Sequence, residues 1–559
     1  MSSEPSEVDV YERELRRSYR RNSDRELIAD KVESYRKALE DRVLEEESRS
    51  ADSVRAEESA NIDLNLWLSL AVTLLFTGFA YAYSEQMLEI SRAVKGFITG
   101  YLGWFFVLVS TGALIYLAWL AFSRYGDVVL GDPDQQPEFS NLAWYSMLFS
   151  AGMGVGIMFW GGTEPIVHYL ANPLGESQTT AAARGAMALT MFHWGFHGWG
   201  VYTLCAVAIA FHGFRHRKSY LISSAVAGLA RTPGMRRVLA VCADLTATLA
   251  VIFGVAASLG TGSLQLASGL DSTLGWNLNT PNGYVLLISV LTVCFLLSAS
   301  TGLQKGIRIL SELNMGSAAL LLAFVFVTGP TLLCLKLTVD TLGNYLTALP
   351  GLSFKVAPFT QSYEAWMADW TVTYFTWWVA WTPFVGIFIA RISRGRTIKE
   401  LISGSTLVPV MMTLVWFSVF GATAFSLVLG DDKGLVALIE ASNYQGALFY
   451  LLAQLPLGQA SSLLACFLIA TFLITSADSA CFVVAMMTSQ GDLDPPARLK
   501  VLWGVAIAVI TSFLVRQGRL DPIQAVAQLS AVPFSLILIL MAVFLPVKLA
   551  HHGAARRRL

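Results

Sequence analysis

Residues 148–160 read Leu148-Phe-Ser-Ala-Gly-Met-Gly-Val-Gly-Ile-Met-Phe-Trp160, with glycines at alternate positions 152, 154 and 156 inside an apolar run. Glycine costs about 1 kcal/mol relative to alanine in a helix interior. Three together mark one of two things: close approach of another backbone, as in small-residue packing between membrane helices, or an unwound helix whose backbone groups are free for a ligand. Composition leaves both open. The surrounding run, 141–171, is the third of twelve stretches apolar enough to span a bilayer, which takes roughly 20 residues. The others lie near 64–84, 100–122, 185–212, 237–268, 282–300, 308–335, 365–391, 401–429, 446–484, 499–516 and 523–549. Strand-type alternation is absent from the sequence, which argues against a β-barrel.

The eighth stretch is expected to be interrupted as well. It carries Trp381-Thr-Pro-Phe-Val-Gly386, where Pro383 frees a backbone carbonyl one turn earlier. Spans three and eight are five apart, as in a transporter built from two inverted five-span repeats. The expected fold class is an all-α integral membrane protein of twelve transmembrane helices, with a 5+5 inverted repeat in spans 3–12. The expected domains are a charged cytoplasmic tail over 1–60, two additional spans over 61–140 and a first repeat over 141–335. A linker over 336–364, with an interfacial helix near Leu332–Leu349, leads to a second repeat over 365–549 and a short basic tail over 550–559. The tenth span is long enough for a bend around Gln454-Leu-Pro-Leu-Gly458.

Of 559 residues, 54% are hydrophobic and 14% charged, against about 25% charged in soluble globular proteins. Residues 1–60 hold 12 Lys/Arg and 17 Asp/Glu, whereas the other 499 share 50 charges. That remainder is expected to dissolve in lipid. A disordered chain, a disulfide scaffold and a nucleic-acid module are excluded as the main reading. The six cysteines (205, 242, 294, 334, 466 and 481) lie in apolar runs without metal spacing, as small hydrophobes do. The polar start contains no cleavable signal, so the first span is expected to direct insertion. Lys and Arg gather after the even-numbered spans: Arg215, Lys218 and Arg236; Lys305 and Arg308; Arg391, Arg394, Arg396 and Lys399; Arg498 and Lys500; and Arg556 to Arg558. Loops 269–281 and 430–445 carry almost none. The positive-inside rule then places both termini in the cytoplasm of a multi-pass protein of the plasma (inner) membrane. In the tail, pairs such as Glu33/Lys37 suit a helix, and a solvated extension and a regulatory role both stay open.

The aromatic residues are clustered. Span four reads His193-Trp-Gly-Phe-His-Gly-Trp-Gly-Val-Tyr202, which puts Trp194, Trp199 and Tyr202 within an arc of about 140°. Span eight reads Trp370-Thr-Val-Thr-Tyr-Phe-Thr-Trp-Trp-Val-Ala-Trp381. There Trp377 and Trp381 share a face, with Trp378 beside them and Tyr374 one turn before. Interfacial belts explain most membrane tryptophans, but Trp194, Trp199 and Trp381 lie well inside their spans. Several aromatic faces around one cavity, with no carboxylate among them, suit a quaternary ammonium. Such a cation donates no hydrogen bond and is held by cation–π attraction, worth up to about 2 kcal/mol when desolvated. Core packing is the alternative. His193 and His197 also have metal spacing. With no acidic or Cys partner in that stretch, packing or hydrogen bonding is expected. No nucleophile–base pair stands out, so an enzyme is not expected.

Span ten contains Phe472-Leu-Ile-Thr-Ser-Ala-Asp-Ser479. Phe472, Thr475 and Ser476 bring one carbonyl and two hydroxyls to one side. Opposed to the loosened backbone around Ser150 and Met153, they would surround a sodium ion with neutral oxygens. Hydroxyls bonded back to the preceding turn are the ordinary alternative. Asp478 is an intramembrane carboxylate and a functional candidate, with a structural pairing as the other choice.

Together these segments resemble the betaine/carnitine/choline transporter family over about residues 62–548. The most specific piece is Asp369-Trp-Thr-Val-Thr-Tyr-Phe-Thr-Trp-Trp378, continued by Trp381 to Gly386 and by Ala390-Arg-Ile-Ser-Arg-Gly-Arg396. Gly152 to Gly156, Gly162-Thr-Glu-Pro165, Gly302 to Asn314 and Thr475 to Ser479 support it. The resemblance implies twelve helices with a LeuT-like inverted repeat, a homotrimer, and alternating-access transport of a trimethylammonium compound. By motif position it implies that Trp194, Trp199, Tyr202, Trp377, Trp378 and Trp381 bind the substrate. It likewise implies that Ser150, Met153, Phe472, Thr475 and Ser476 hold sodium.

Several positions depart from the family pattern. Phe375 stands where the family usually has Trp. Val251 and Val255 occupy the threonine positions of a second sodium site. Gly156 lies where proton-coupled choline members have Asp, which favours the sodium-coupled branch. Only 11 residues follow Lys548, short of the basic helix of osmosensing members.

The expectation is a secondary active transporter importing glycine betaine, with Na⁺ as coupling ion, no other cofactor and no nucleic-acid partner. The ammonium would face Trp194, Trp199, Tyr202 and Trp378. The carboxylate would face the backbone of Gly152, Gly154 and Gly156, with Trp377 and Trp381 at the exit or in the site. A proton-coupled or ion-independent choline, carnitine or ectoine-type carrier is the nearest alternative. A transporter-like osmosensor is the alternative of another class.

Overall fold

The computed structural model describes residues 64–556 apart from 133, 153, 216–218, 302, 303, 431 and 517, together with 11, 31 and 34. Nearly all of the tail over 1–60 and the sodium candidate Met153 therefore lie outside the described residues. Among the described residues, eleven helices are long and apolar enough to cross a membrane. Paired strands are confined to one isolated antiparallel bridge, Val129 with Thr397. All six cysteines are free.

The apolar run missing from those eleven is the third, which divides into Asn141–Gly152, Val155–Trp160 and Thr163–Leu170. The interruption expected at Gly152 to Gly156 is present: Gly154 is extended, with φ −118° and ψ −160°. The opened helix is the role realised, at Gly154, and what comes close at Gly156 is a side-chain ring rather than another backbone. Gly154 opens the helix, whereas a Cβ on Gly156 would stand 2.8 Å from the Trp194 ring.

Span eight differs from expectation. Its helix Thr373–Ile392 runs straight through Pro383, and the irregular turn lies upstream as a π turn over Ala368–Val372. Pro383 removes one i→i−4 bond, that to the Val379 carbonyl, and the helix continues past it; the Thr382 hydroxyl bonds back to the Trp378 carbonyl at 2.7 Å. Span four carries a break unread in the sequence. Thr180–Trp194 stops, Gly195 turns (φ −97°, ψ −136°), and Phe196–Ala210 resumes. The hydroxyl of Tyr345, from the helix Thr331–Leu352, fills that break and accepts the Phe196 N–H at 2.9 Å. The tenth stretch bends as expected, into Tyr444–Ala453 and Gly458–Met487.

Helix ends follow local chemistry. Span five, Pro233–Leu274, opens on Thr232, whose hydroxyl accepts from Met235 N–H, and closes on left-handed Gly275 (φ 69°). Its 42 residues reach about 63 Å, twice the hydrocarbon thickness. Span nine, Ile398–Val428, opens on a reciprocal capping box between Thr397 and Glu400.

Burial separates centre from periphery. The apolar windows of spans four and eight are 94% and 78% buried, against 22% for spans one and seven. In lipid the apolar effect does not draw helices together, so close packing of small residues must. Spans four and eight meet at two glycines. Gly198 abuts the Trp378 indole and Gly386 abuts Cys205, each leaving less than 3 Å for a Cβ.

Candidate functional site

The broken third span and spans four, five, eight and ten enclose one aromatic cavity. It is lined by Gly154, Gly156, Trp194, Tyr202, Tyr374, Trp377, Trp378 and Trp381, with Val155, Val255, Ser258, Leu259, Leu473, Ser476 and Ala477 completing the wall. The rings meet edge to face: Trp194 and Trp378 at 5.2 Å and 81°, Tyr202 and Trp378 at 5.7 Å and 89°. Only about 60 Å³ stays open between them, room for a few waters.

Each indole has a seat. Gly156 receives Trp194, Gly198 receives Trp378, and Gly254 receives Trp381 with 3.1 Å to a built Cβ. Trp381 donates to the Gly254 carbonyl at 3.0 Å and Trp378 to the His193 carbonyl at 2.8 Å. The second acceptor exists because carbonyls in the last turn before the Gly195 break lack helical partners.

The remaining expected residues are placed as follows. Trp199 is buried and packs edge-on against Tyr202 at 5.8 Å, away from the cavity wall. Gly152 ends the first fragment of span three. Phe472 is buried in span ten. Thr475 donates back to the Thr471 carbonyl at 3.0 Å and accepts from Asn314 at 3.3 Å, while Ser476 reaches the cavity. Asp478 accepts from Ser298 at 2.6 Å, a structural pairing between spans ten and six. His197 stacks on Phe375 at 5.4 Å and 14° and bonds Ser353 at 3.1 Å, so it packs as expected.

One expectation is corrected by Glu164, from the helix Thr163–Leu170: a carboxylate does stand behind the aromatic cluster, outside the cavity wall. His193 is hydrogen-bonded, as expected, and its partner is this acidic residue from another stretch. Glu164 is fully buried. Its Oε1 faces His193 Nδ1 at 2.7 Å and His168 Nε2 at 3.3 Å. Its Oε2 accepts from Trp194 Nε1 at 2.8 Å and from the Tyr374 hydroxyl. The outer ring nitrogen assigns one tautomer. His168 Nδ1 accepts from Trp366 Nε1 at 3.3 Å, so its Nε2 is a donor to Glu164, while His193 Nε2 shares a hydrogen bond with the Thr371 hydroxyl at 3.0 Å that either group can donate. Trp194, Tyr374 and His168 thus donate to the carboxylate, and His193 Nδ1 is hydrogen-bonded to it. Glu164, His168 and His193 have the spacing of a metal site, but the inner nitrogen of His168 keeps no lone pair for an ion. Glu164 lies 30 residues from Trp194, outside any helical spacing. Its sequence signal is a lone acidic residue in an apolar run.

A profile described as BCCT, the betaine/carnitine/choline family transporter, matches residues 65–554. The chain is 40% identical over 479 residues to the glycine betaine transporter OpuD of Bacillus subtilis, covering 85% of this chain and 92% of that one. It is 37% identical over 485 residues to a glycine betaine transporter of Acinetobacter baylyi (86% and 72%). To an ectoine/hydroxyectoine transporter of Virgibacillus pantothenticus it is 38% identical over 482 residues (85% and 94%).

Proposed function

The chain belongs to the betaine/carnitine/choline family of transporters, and on that premise we propose that it imports glycine betaine in symport with sodium, by alternating access. The observation that carries this is the cavity whose rings touch one another edge to face. A trimethylammonium group has no hydrogen bond to offer, so it is held by faces of negative potential. Parting Trp378 from Trp194 and Tyr202 exchanges ring–ring contacts for cation–π contacts on three sides. The substrate carboxylate is received by the open backbone at Gly154, with Gly152 and Gly156 beside it. Trp377 and Trp381 continue the wall, and Trp199 supports Tyr202 from behind. The surrounding architecture in this proposal is twelve spans with the inverted repeat in spans 3–12, both termini cytoplasmic in the inner membrane, and three copies per assembly.

The coupling sodium ion is assigned to Phe472, Thr475 and Ser476 together with Ser150 and Met153. Thr475 oxygen accepts one hydrogen bond and keeps a second lone pair. Val251 and Val255 offer none to a second ion. An ectoine-type substrate is the second reading, favoured by the Virgibacillus relative, because a delocalised cation suits the same rings.

Labelled glycine betaine uptake into proteoliposomes tests this under an inward sodium gradient, a proton gradient, or neither. Uptake is expected with sodium alone. Uptake driven by protons, or by exchange alone, overturns the coupling; no betaine uptake with competition-grade ectoine uptake selects the second reading. In the same assay Thr475→Ala with Ser476→Ala should raise the sodium concentration for half-maximal uptake several-fold. Unchanged sodium kinetics would remove the ion from these oxygens.

A further inference from the structure

We propose that Glu164 is the buried counter-charge of the aromatic cavity, the residue that makes it prefer a positive head group over a neutral one of the same shape. This rests on the cavity being a quaternary-ammonium site and goes beyond it, because an aromatic cage alone needs no carboxylate.

Three observations carry it. Glu164 binds the polar edges of two rings that line the cavity, Trp194 through Nε1 and Tyr374 through its hydroxyl. It thus stands one ring away from a guest, without touching it. Next, His168 does not cancel its charge. Trp366 Nε1, a donor only, occupies His168 Nδ1 at 3.3 Å, so that ring meets the carboxylate as a neutral hydrogen-bond donor rather than as a cation. Finally, the site is fully buried, with Glu164, His168 and His193 all at 0% exposure, and a buried charge acts at longer range than one in water.

Two effects then act together. The carboxylate attracts the ammonium directly. Charge-assisted hydrogen bonds also push electron density from the ring edges into their faces, which deepens the potential that the cation meets. Glu164 is a positioning residue as well, because the same bonds fix the two rings.

Glycine betaine and its carbon isostere 3,3-dimethylbutanoate separate charge from position. They share a carboxylate and a head-group shape and differ in the head-group charge. Binding of both is measured on the purified full-length protein, wild type and Glu164→Gln. The glutamine oxygen still accepts from Trp194 and Tyr374. Its amide faces His193, which can accept on Nδ1 and donate to Thr371, and it opposes the His168 donor, so folding of this variant is checked by its thermal midpoint. Glu164→Gln is expected to narrow the preference for betaine over the isostere by about tenfold or more, with isostere affinity maintained or improved. Equal loss for both ligands, or an unchanged ratio, overturns the counter-charge and leaves a structural role only. A wild type that binds betaine no better than the isostere overturns the quaternary-ammonium reading itself. His168→Lys is the independent route should Glu164→Gln not fold. It keeps the carboxylate, sets an ammonium against it, and is expected to narrow the same ratio, whereas an unchanged ratio counts against the proposal. Glu164→Asp retains the charge and should restore most of the preference.

Discussion

Glu164→Ala should destabilise the folded protein by about 3–4 kcal/mol, read as a large fall in the thermal unfolding midpoint in detergent. The side chain is fully buried and is hydrogen-bonded to Trp194, Tyr374, His193 and His168. Alanine leaves three donors and the His193 ring nitrogen facing a void. A buried donor without a partner costs about 1–3 kcal/mol. Part of this is relieved, since the Tyr374 hydroxyl can turn and water can enter the gap. The Trp194 indole has no such freedom, because its ring is seated against Gly156. Glu164→Gln should recover part of the loss, because its oxygen still accepts from Trp194 and Tyr374 while its amide nitrogen opposes the His168 donor. A midpoint for the alanine variant within experimental error of wild type would show that these bonds do not hold spans three, four and eight together.

Trp378→Ala should weaken glycine betaine binding by tenfold or more. The indole touches both Trp194 and Tyr202, so its removal opens one side of the cage. The lost cation–π contact is worth up to about 2 kcal/mol in a desolvated site. The lost ring–ring contacts, each about 0.5–1.5 kcal/mol beyond burial, raise the expected cost to stability. Trp378→Phe keeps an aromatic face and should retain most of the affinity, though it releases the His193 carbonyl that the indole N–H occupies. Equal affinity for wild type and a folded alanine variant, measured by tryptophan-independent binding, would place the substrate elsewhere.

Local signals in this chain were readable in proportion to how near in sequence their cause lies. The glycines at 152, 154 and 156 announced the broken span, because the penalty for glycine in a helix is intrinsic to each residue. The bend near Gln454 to Gly458 followed from length and a proline. Pro383 misled, since whether a proline breaks a helix depends on which neighbours satisfy the freed carbonyls. The break at Gly195 was missed for the converse reason. Its glycine is accounted for by a tyrosine hydroxyl 150 residues away.

The chemistry of the cavity divides along the same line. Apolar run lengths, the scarcity of charge and the clustering of Trp377, Trp378 and Trp381 within one helix are properties of the sequence, whereas the Gly195 break puts Trp194 and Tyr202 on separate helices. Those properties rest on helical period and hydrophobicity, which act over one or two turns. The family likewise followed from contiguous motifs. What the tertiary structure alone decided is which residues stand behind those rings. Glu164 and His168 share one helical face at i,i+4, but His193 and the group Trp366, Thr371 and Tyr374 come from two other spans, and no spacing rule links the three. A buried carboxylate is held only where several donors from different elements converge on it, and that convergence exists only once the helices have packed.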